Sequence, residues 1–166
     1  MLEIIDNLSL FFEDCYSEFG VREYAREMKM SAPTASKLLK DLEREGLLKV
    51  RKERRYLLFR VNRESKILRD LSGIYWRERL EKVIEKVREL SPEAIVLFGS
   101  LSKLETKKDS DVDIAILGVR KKNIYLKNVE KDIGREIEII FYDSLDKINM
   151  KLRKNIINGY VLEGYL

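Results

Sequence analysis

Apolar positions recur along the first half of the chain at helical spacing, in three separate runs. Leu2, Ile5, Leu8, Phe12 and Cys15 or Tyr16 predict an amphipathic helix over residues 2–16. Gly20 follows, and Val21 to Met28 reads as a second, shorter helix broken around Met30 and Ser31. Ser31-Ala-Pro-Thr34 supplies an N-cap and an early proline, both helix starters. In the third run Ala35, Leu38, Leu39 and Leu42 fall at i, i+3, i+4 and i+7, one buried stripe, and Gly46 is the expected stop. The period then changes. Leu47–Val50 and Tyr56–Val61 are short β-prone runs, separated by the charged tip Arg51-Lys-Glu-Arg-Arg55.

Three helices followed by a basic hairpin is the layout of a winged helix-turn-helix, in which the third helix can enter the major groove while the hairpin touches phosphates. From Asn62 to Leu90 the spacing is helical again, through Ile67, Leu71 and Ile74 and then Leu80, Val83, Ile84 and Val87, with Gly73 as the expected break. Tyr75 and Trp76 read as core or dimer contacts. The segment lacks the Gly/Ser/Pro content of a flexible linker, so helix is expected to join the two halves. Ser91-Pro92 closes it. Ala94–Phe98 is a continuous apolar run of the kind a buried strand shows, ended by Gly99-Ser100. Asp111–Leu117 predicts a second strand, residues 121–132 a helix closed by Gly134, Arg135–Tyr142 a third strand, and Ser144–Ile157 a final helix. The expected fold class is therefore α+β: residues 1–63 a winged helix-turn-helix domain, 64–90 a connecting helix, and 91–166 a small mixed sheet covered by helices.

Charge sharpens this division. The net charge is only +4, but residues 47–63 hold seven bases against Glu53, while residues 1–28 hold seven acids against Arg22 and Arg26. A basic stretch on a hairpin gains free energy by neutralising phosphates and releasing counterions. Duplex DNA is the expected partner, with Thr34, Ser36, Lys37, Lys40, Arg44, Arg51, Lys52, Arg54 and Arg55 as the candidate contacts. The 166 residues include no histidine, which excludes His-based zinc sites, serine–histidine triads and histidine acid–base catalysis. Cys15 is the only cysteine and reads as a small apolar residue; with no disulfide framework, a reducing, cytoplasmic location is expected. No apolar run approaches the roughly 20 residues a membrane-spanning helix needs.

The chemistry concentrates in one spacing: Gly99-Ser100, ten residues, then Asp111-Val112-Asp113. Residues i and i+2 of a strand share a face, so the two carboxylates lie side by side and need a compensating cation. An oxygen-only donor set favours Mg²⁺ or Mn²⁺. A Gly-Ser turn beyond a strand lets backbone amides and a hydroxyl approach a phosphate. A third carboxylate is expected from Arg135-Glu-Ile-Glu-Ile-Ile-Phe141, where Glu136 and Glu138 share a face; Glu138, among apolar neighbours, is the better candidate for a ligand or base.

These residues resemble the minimal nucleotidyltransferases of the DNA polymerase β superfamily, whose signature h-h-G-S-x10-D-x-D-h-h is matched by Val96–Ser100 and Asp111–Ala115. Glu138-Ile-Ile-Phe-Tyr-Asp-Ser-Leu145 is similar to the segment carrying the family's third carboxylate, and residues 92 to 166 are covered. The resemblance implies transfer of a nucleoside monophosphate from an NTP with two divalent metals about 3.5–4 Å apart. Asp111, Asp113 and Glu138 would be the metal-binding and catalytic residues, with Glu138 deprotonating the acceptor. Gly99, Ser100 and Lys103 would hold the triphosphate. The chain departs from the family where Leu104 replaces a second glycine and where Glu138 replaces an aspartate. The first half resembles the winged-helix repressors of bacteria and archaea, and Asn62-Arg-Glu-Ser65 is similar to the wing exit of winged-helix proteins fused to such transferases. A homodimer formed through the 62–90 segment is expected, a small helical partner protein is a further candidate, and a protein is one acceptor the resemblance allows. The second reading is a transcriptional regulator whose transferase fold is inactive and senses a nucleotide or mediates assembly.

Overall fold

The computed structural model describes residues 2–166, and its elements follow the predicted periodicities closely in the first half. Helix α1 (Glu3–Glu13) buries Ile5, Leu8, Phe11 and Phe12. A two-residue strand β1 (Phe19–Gly20) precedes α2 (Val21–Glu27) and α3 (Ala32–Arg44). Between these helices Lys29 takes a left-handed conformation at φ +53°. The Ser31 hydroxyl accepts a bond of 3.2 Å from the Thr34 amide, the expected cap. Ala35, Leu39 and Leu42 are buried and Leu38 half-buried, so the predicted stripe faces the core.

Strands β2 (Leu48–Glu53) and β3 (Tyr56–Val61) form an antiparallel hairpin, with β1 added on the far side of β3. The turn is only Arg54-Arg55, because Glu53 already pairs with Tyr56. Such a two-residue turn needs a left-handed backbone, supplied by Arg54 at φ +55°. The expected five-residue tip is thus corrected: Arg51 and Lys52 lie within β2.

The 62–90 segment is two helices, α4 (Lys66–Arg79) and α5 (Glu81–Arg88), capped at the start by Ser65. The break falls at Leu80, not at the expected Gly73. Gly73 is instead a contact point, since a Cβ there would overlap the ring of Tyr160. Tyr75 and Trp76 are core residues.

The second half is a four-stranded sheet of order β6-β5-β4-β7, from β4 (Ala94–Phe98), β5 (Val112–Leu117), β6 (Ile137–Tyr142) and β7 (Tyr160–Gly164). Only β5 and β6 run parallel. Helix α6 is Lys127–Ile133 rather than 121–132, and α7 is Met150–Ile157, with a separate 3-10 turn at Leu145–Lys147 in place of one helix from Ser144. Gly134 closes α6 at φ +76°, as expected. The sequence reading contained neither β1 nor β7. One cluster of buried side chains runs from Ile5 through Trp76 and Ile84 to Ile114 and Leu162, so the two halves share a core. The other face of the sheet is covered separately, by Ile148 and Ile156 over Val96, Phe98 and Ala115. Among the described residues no helix is long and apolar enough to cross a membrane.

Candidate active site

The fully buried β4 ends at Gly99, whose φ of +73° turns the chain out of the sheet. A 3-10 turn (Leu101–Lys103) follows, in which the Ser100 carbonyl accepts from the amides of Lys103 and Glu105, both at 3.1 Å. The Ser102 hydroxyl donates to the Gly99 carbonyl at 3.0 Å. Leu104 then adopts φ +56°, ψ +40° while entirely buried.

Phe98 pairs with Asp113 on β5, which brings the Asp113 side chain against Gly99. The approach is so close that a Cβ on Gly99 would overlap the Asp113 Oδ2 and lie 3.0 Å from its Cγ. Glycine is required here by both the backbone and the neighbour. On the other side Asp113 pairs in parallel with Glu138 of β6. Asp111 sits just ahead of β5 and is exposed, rather than within the strand as expected.

Partial burial raises the Asp113 pKa, and the charges of Glu138 and then Asp111 raise it further, against a lowering contribution from Lys103. The strands therefore gather three carboxylates and one lysine within electrostatic reach. Glu138 is exposed, because β6 is the edge of the sheet; the expectation that it lies deep among apolar neighbours is corrected. Glu136 is exposed as well and precedes the strand. Among the described residues no three acidic or cysteine side chains converge closely enough to form a ready metal cage. The donors suit a hard cation in kind, but the structure holds them apart. Lys103 is steered by a bond of 3.0 Å from its ammonium to Asn155 Oδ1, a partner on α7 that sequence spacing did not reveal.

The expected DNA contacts divide into two groups. On α3, Thr34, Lys37, Lys40 and Arg44 are exposed and Ser36 is half-buried, with Arg44 bonded to Asp41 at 2.7 Å. On the hairpin Lys52, Arg54 and Arg55 are exposed. Arg51 is already engaged: its Nε donates to both oxygens of Glu18, at 2.9 and 2.8 Å, and a second ion pair joins it to Glu53. Its guanidinium holds the Glu18 carboxyl below the usual range. Arg54, Arg55, Tyr56 and Leu57 flank one side of an open groove of about 910 Å³, and Ala32 at the start of α3 flanks the other.

A small mixed sheet with a Gly-Ser turn packed on a strand-borne carboxylate defines a nucleotidyltransferase type of domain. The family described as polymerase beta, nucleotidyltransferase matches residues 78–163, just over half of the chain, and the protein belongs to it. The match begins in the last turn of α4, ahead of the sheet, so the family unit includes α5. No curated protein and no solved structure matches the chain.

Proposed function

We propose that the protein transfers a nucleoside monophosphate from an NTP to an acceptor, and that its first half is a winged helix-turn-helix that binds duplex DNA. The observation carrying the first part is the contact between Gly99 and Asp113, with Glu138 and Asp111 around it. This arrangement serves no evident structural end, because like charges beside a half-buried carboxylate oppose folding. Asp111 and Asp113, with Glu138 facing them, would hold Mg²⁺ or Mn²⁺. The bound cation would neutralise charge developing on the phosphates. The Gly99-Ser100 turn, and Lys103 held by Asn155, would receive the triphosphate. Glu138, exposed on the edge strand, would take a proton from an acceptor hydroxyl arriving from solvent.

The helix-and-hairpin topology of the first half, with exposed bases on α3 and at the hairpin turn, supports the DNA reading. Lys52, Arg54 and Arg55 are its phosphate contacts. Arg51, occupied by Glu18, supports the hairpin instead. A homodimer through residues 62–90 would use the outer faces of α4 and α5, where Ile67 is exposed; Leu68, Trp76, Leu80 and Ile84 are committed to the chain's own core.

The separation of the carboxylates, with no three-carboxylate cage preformed among the described residues, favours as a second reading a DNA-binding regulator whose transferase fold only senses a nucleotide. Calorimetry with each of the four NTPs and Mg²⁺, followed by transfer assays with α-labelled nucleotide, separates the two. Metal-dependent binding and transfer, both lost in Asp111→Asn/Asp113→Asn, support the enzyme. Binding without transfer to any added protein or nucleic acid supports the sensor, and no binding at all sinks both. For the DNA reading, replacing Lys52, Arg54 and Arg55 by Ala should reduce the salt dependence of duplex binding by nearly three counterions. An unchanged slope would remove the hairpin from the interface.

A further inference from the structure

Arg135 is the most enclosed charge in the molecule's second half, with its side chain only 4% exposed. All the directions of its guanidinium are used. Nη1 donates to the carbonyls of Lys107 and Ser110, at 2.9 and 2.6 Å. Nη2 donates to the Glu13 carbonyl at 2.7 Å and, with Nε, to Glu13 Oε2 at 2.9 and 3.3 Å. The planar cation also lies 5.3 Å from the centre of the Trp76 ring.

The two loop carbonyls are the ends of a closed turn. The Ser110 amide donates to the Lys107 carbonyl at 3.0 Å, and the Lys107 amide donates to Ser110 Oγ at 2.9 Å. Asp111 is the next residue. Beyond it, the Val112 amide donates to the Glu136 carbonyl at 2.9 Å. Asp111 is thus bracketed by bonds to consecutive residues, 135 on one side and 136 on the other.

Glu13 closes the chain of contacts from the opposite end. It belongs to the last turn of α1, in the first half, and its second oxygen accepts from the Tyr75 hydroxyl of α4. Glu13 therefore sets the plane of the Arg135 guanidinium, which sets the turn that presents Asp111. The Cys15 amide adds a parallel tie, donating to the Thr106 carbonyl at 2.8 Å.

We propose that Arg135 is a positioning residue for the carboxylate site, holding Asp111 in register with Asp113, and that Glu13 makes this hold depend on the placement of the N-terminal helix. The proposal rests on the transferase reading of the site. It gives the DNA-binding half a physical route to the metal-binding half: any shift of α1 by a fraction of an ångström changes a guanidinium with no free donor to absorb it.

The test uses the full chain, Mn²⁺ with each NTP as probe, and two variants. Arg135→Lys keeps the charge but cannot span both carbonyls and Glu13. Glu13→Gln keeps an acceptor and removes the ion pairs to Arg135 and, at 3.5 Å, to Arg79, without altering a residue of the 107–113 segment or the sheet. In the wild type, Mn²⁺-dependent nucleotide binding is measured by calorimetry, and amide exchange is followed across residues 105–113. Arg135→Lys is expected to weaken Mn²⁺-nucleotide binding tenfold or more and to accelerate exchange in the 107–112 segment, while a cooperative unfolding transition is retained. Glu13→Gln is expected to weaken binding at least threefold with faster exchange in the same segment. Faster exchange with nucleotide affinity unchanged would make Arg135 a structural anchor only and overturn the proposal. A silent Glu13→Gln beside an impaired Arg135→Lys would overturn the link to α1. If Arg135→Lys does not fold, Glu13→Gln alone decides, through the same two readouts. A wild type that binds no nucleotide overturns the transferase reading and this proposal with it, an outcome distinct from binding that the variants leave intact.

Discussion

Replacing Gly99 by alanine probes the contact on which the site is built. Two costs are legible in the structure. The backbone at φ +73° is left-handed, which an L-residue with a Cβ adopts at a cost of about 1–2 kcal/mol. The new methyl would also overlap the Asp113 Oδ2 and crowd its Cγ, so the carboxylate must leave its rotamer, for about 1 kcal/mol more. The sum is ~2–3 kcal/mol, which for a chain of this size lowers the unfolding midpoint by about 4–12 °C. Urea denaturation at pH 7 measures it, provided the m-value is unchanged. The two costs separate in a double-mutant cycle with Asp113→Ala. Removing the carboxylate leaves only the alanine Cβ, at 3.3 Å, so the second cost vanishes and the backbone cost stays. A coupling of about 1 kcal/mol between the two positions is expected. The displaced Asp113 should also abolish metal-dependent nucleotide binding in Gly99→Ala even where the protein is fully folded. A destabilisation below ~0.5 kcal/mol, or the same cost in both backgrounds, would refute the close contact as the reason for glycine.

Gly73→Ala would ordinarily stabilise a helix interior by about 0.5–1 kcal/mol. Here the methyl meets the Tyr160 ring, with Cζ 2.8 Å away, and overpacking costs about 1–3 kcal/mol, so a net loss is expected in thermal melts that turns into a gain in a Tyr160→Ala background. Tyr24 is fully buried, its hydroxyl donates to the Asn7 carbonyl at 2.6 Å, and burial pushes its pKa up to about 12. A raised folded-state pKa contributes stability that is complete below the unfolded value near 10 and is lost as pH rises through about 12. Tyr24→Phe should therefore cost about 1 kcal/mol at pH 7 from the lost hydrogen bond, and the gap should close and reverse by pH 11–12 in urea titrations. A pH-independent offset would refute the assignment.

Local chemistry was readable where it is decided locally. The α3 stripe, its Ser31 cap and the Gly46 stop all depend on neighbours within a few residues. The all-buried β4 follows from five consecutive apolar residues, and the Gly99–Asp113 spacing survives as a direct contact. What failed depends on distant partners. Strand β7 went unread after the last helix because its strand character comes from pairing with β4. The exposure of Glu138 follows from β6 lying at the sheet edge, a fact of strand order that no periodicity encodes. Gly73 reads as a helix breaker until Tyr160 is known to lie over it. Arg135 carried no signal at all, since its Glu13 partner is 122 positions away.

Leu104 shows how a departure from the family pattern can preserve the geometry behind it. The resemblance places a second glycine at this position, and the backbone there is left-handed, as glycine would favour. Leucine pays about 1–2 kcal/mol for that conformation. Its side chain is fully buried in the main core, and burying a leucine returns roughly 1.5–3 kcal/mol. The two terms nearly cancel or favour leucine. The Ser102 hydroxyl, bonded to the Gly99 carbonyl, further closes the turn. The loop therefore keeps a path that brings Lys103 within electrostatic reach of Asp113, anchored by side-chain burial where glycine would supply backbone freedom. A loop held in this way is stiffer than a glycine-rich one, so under the proposed function it would lose less conformational entropy on binding a triphosphate.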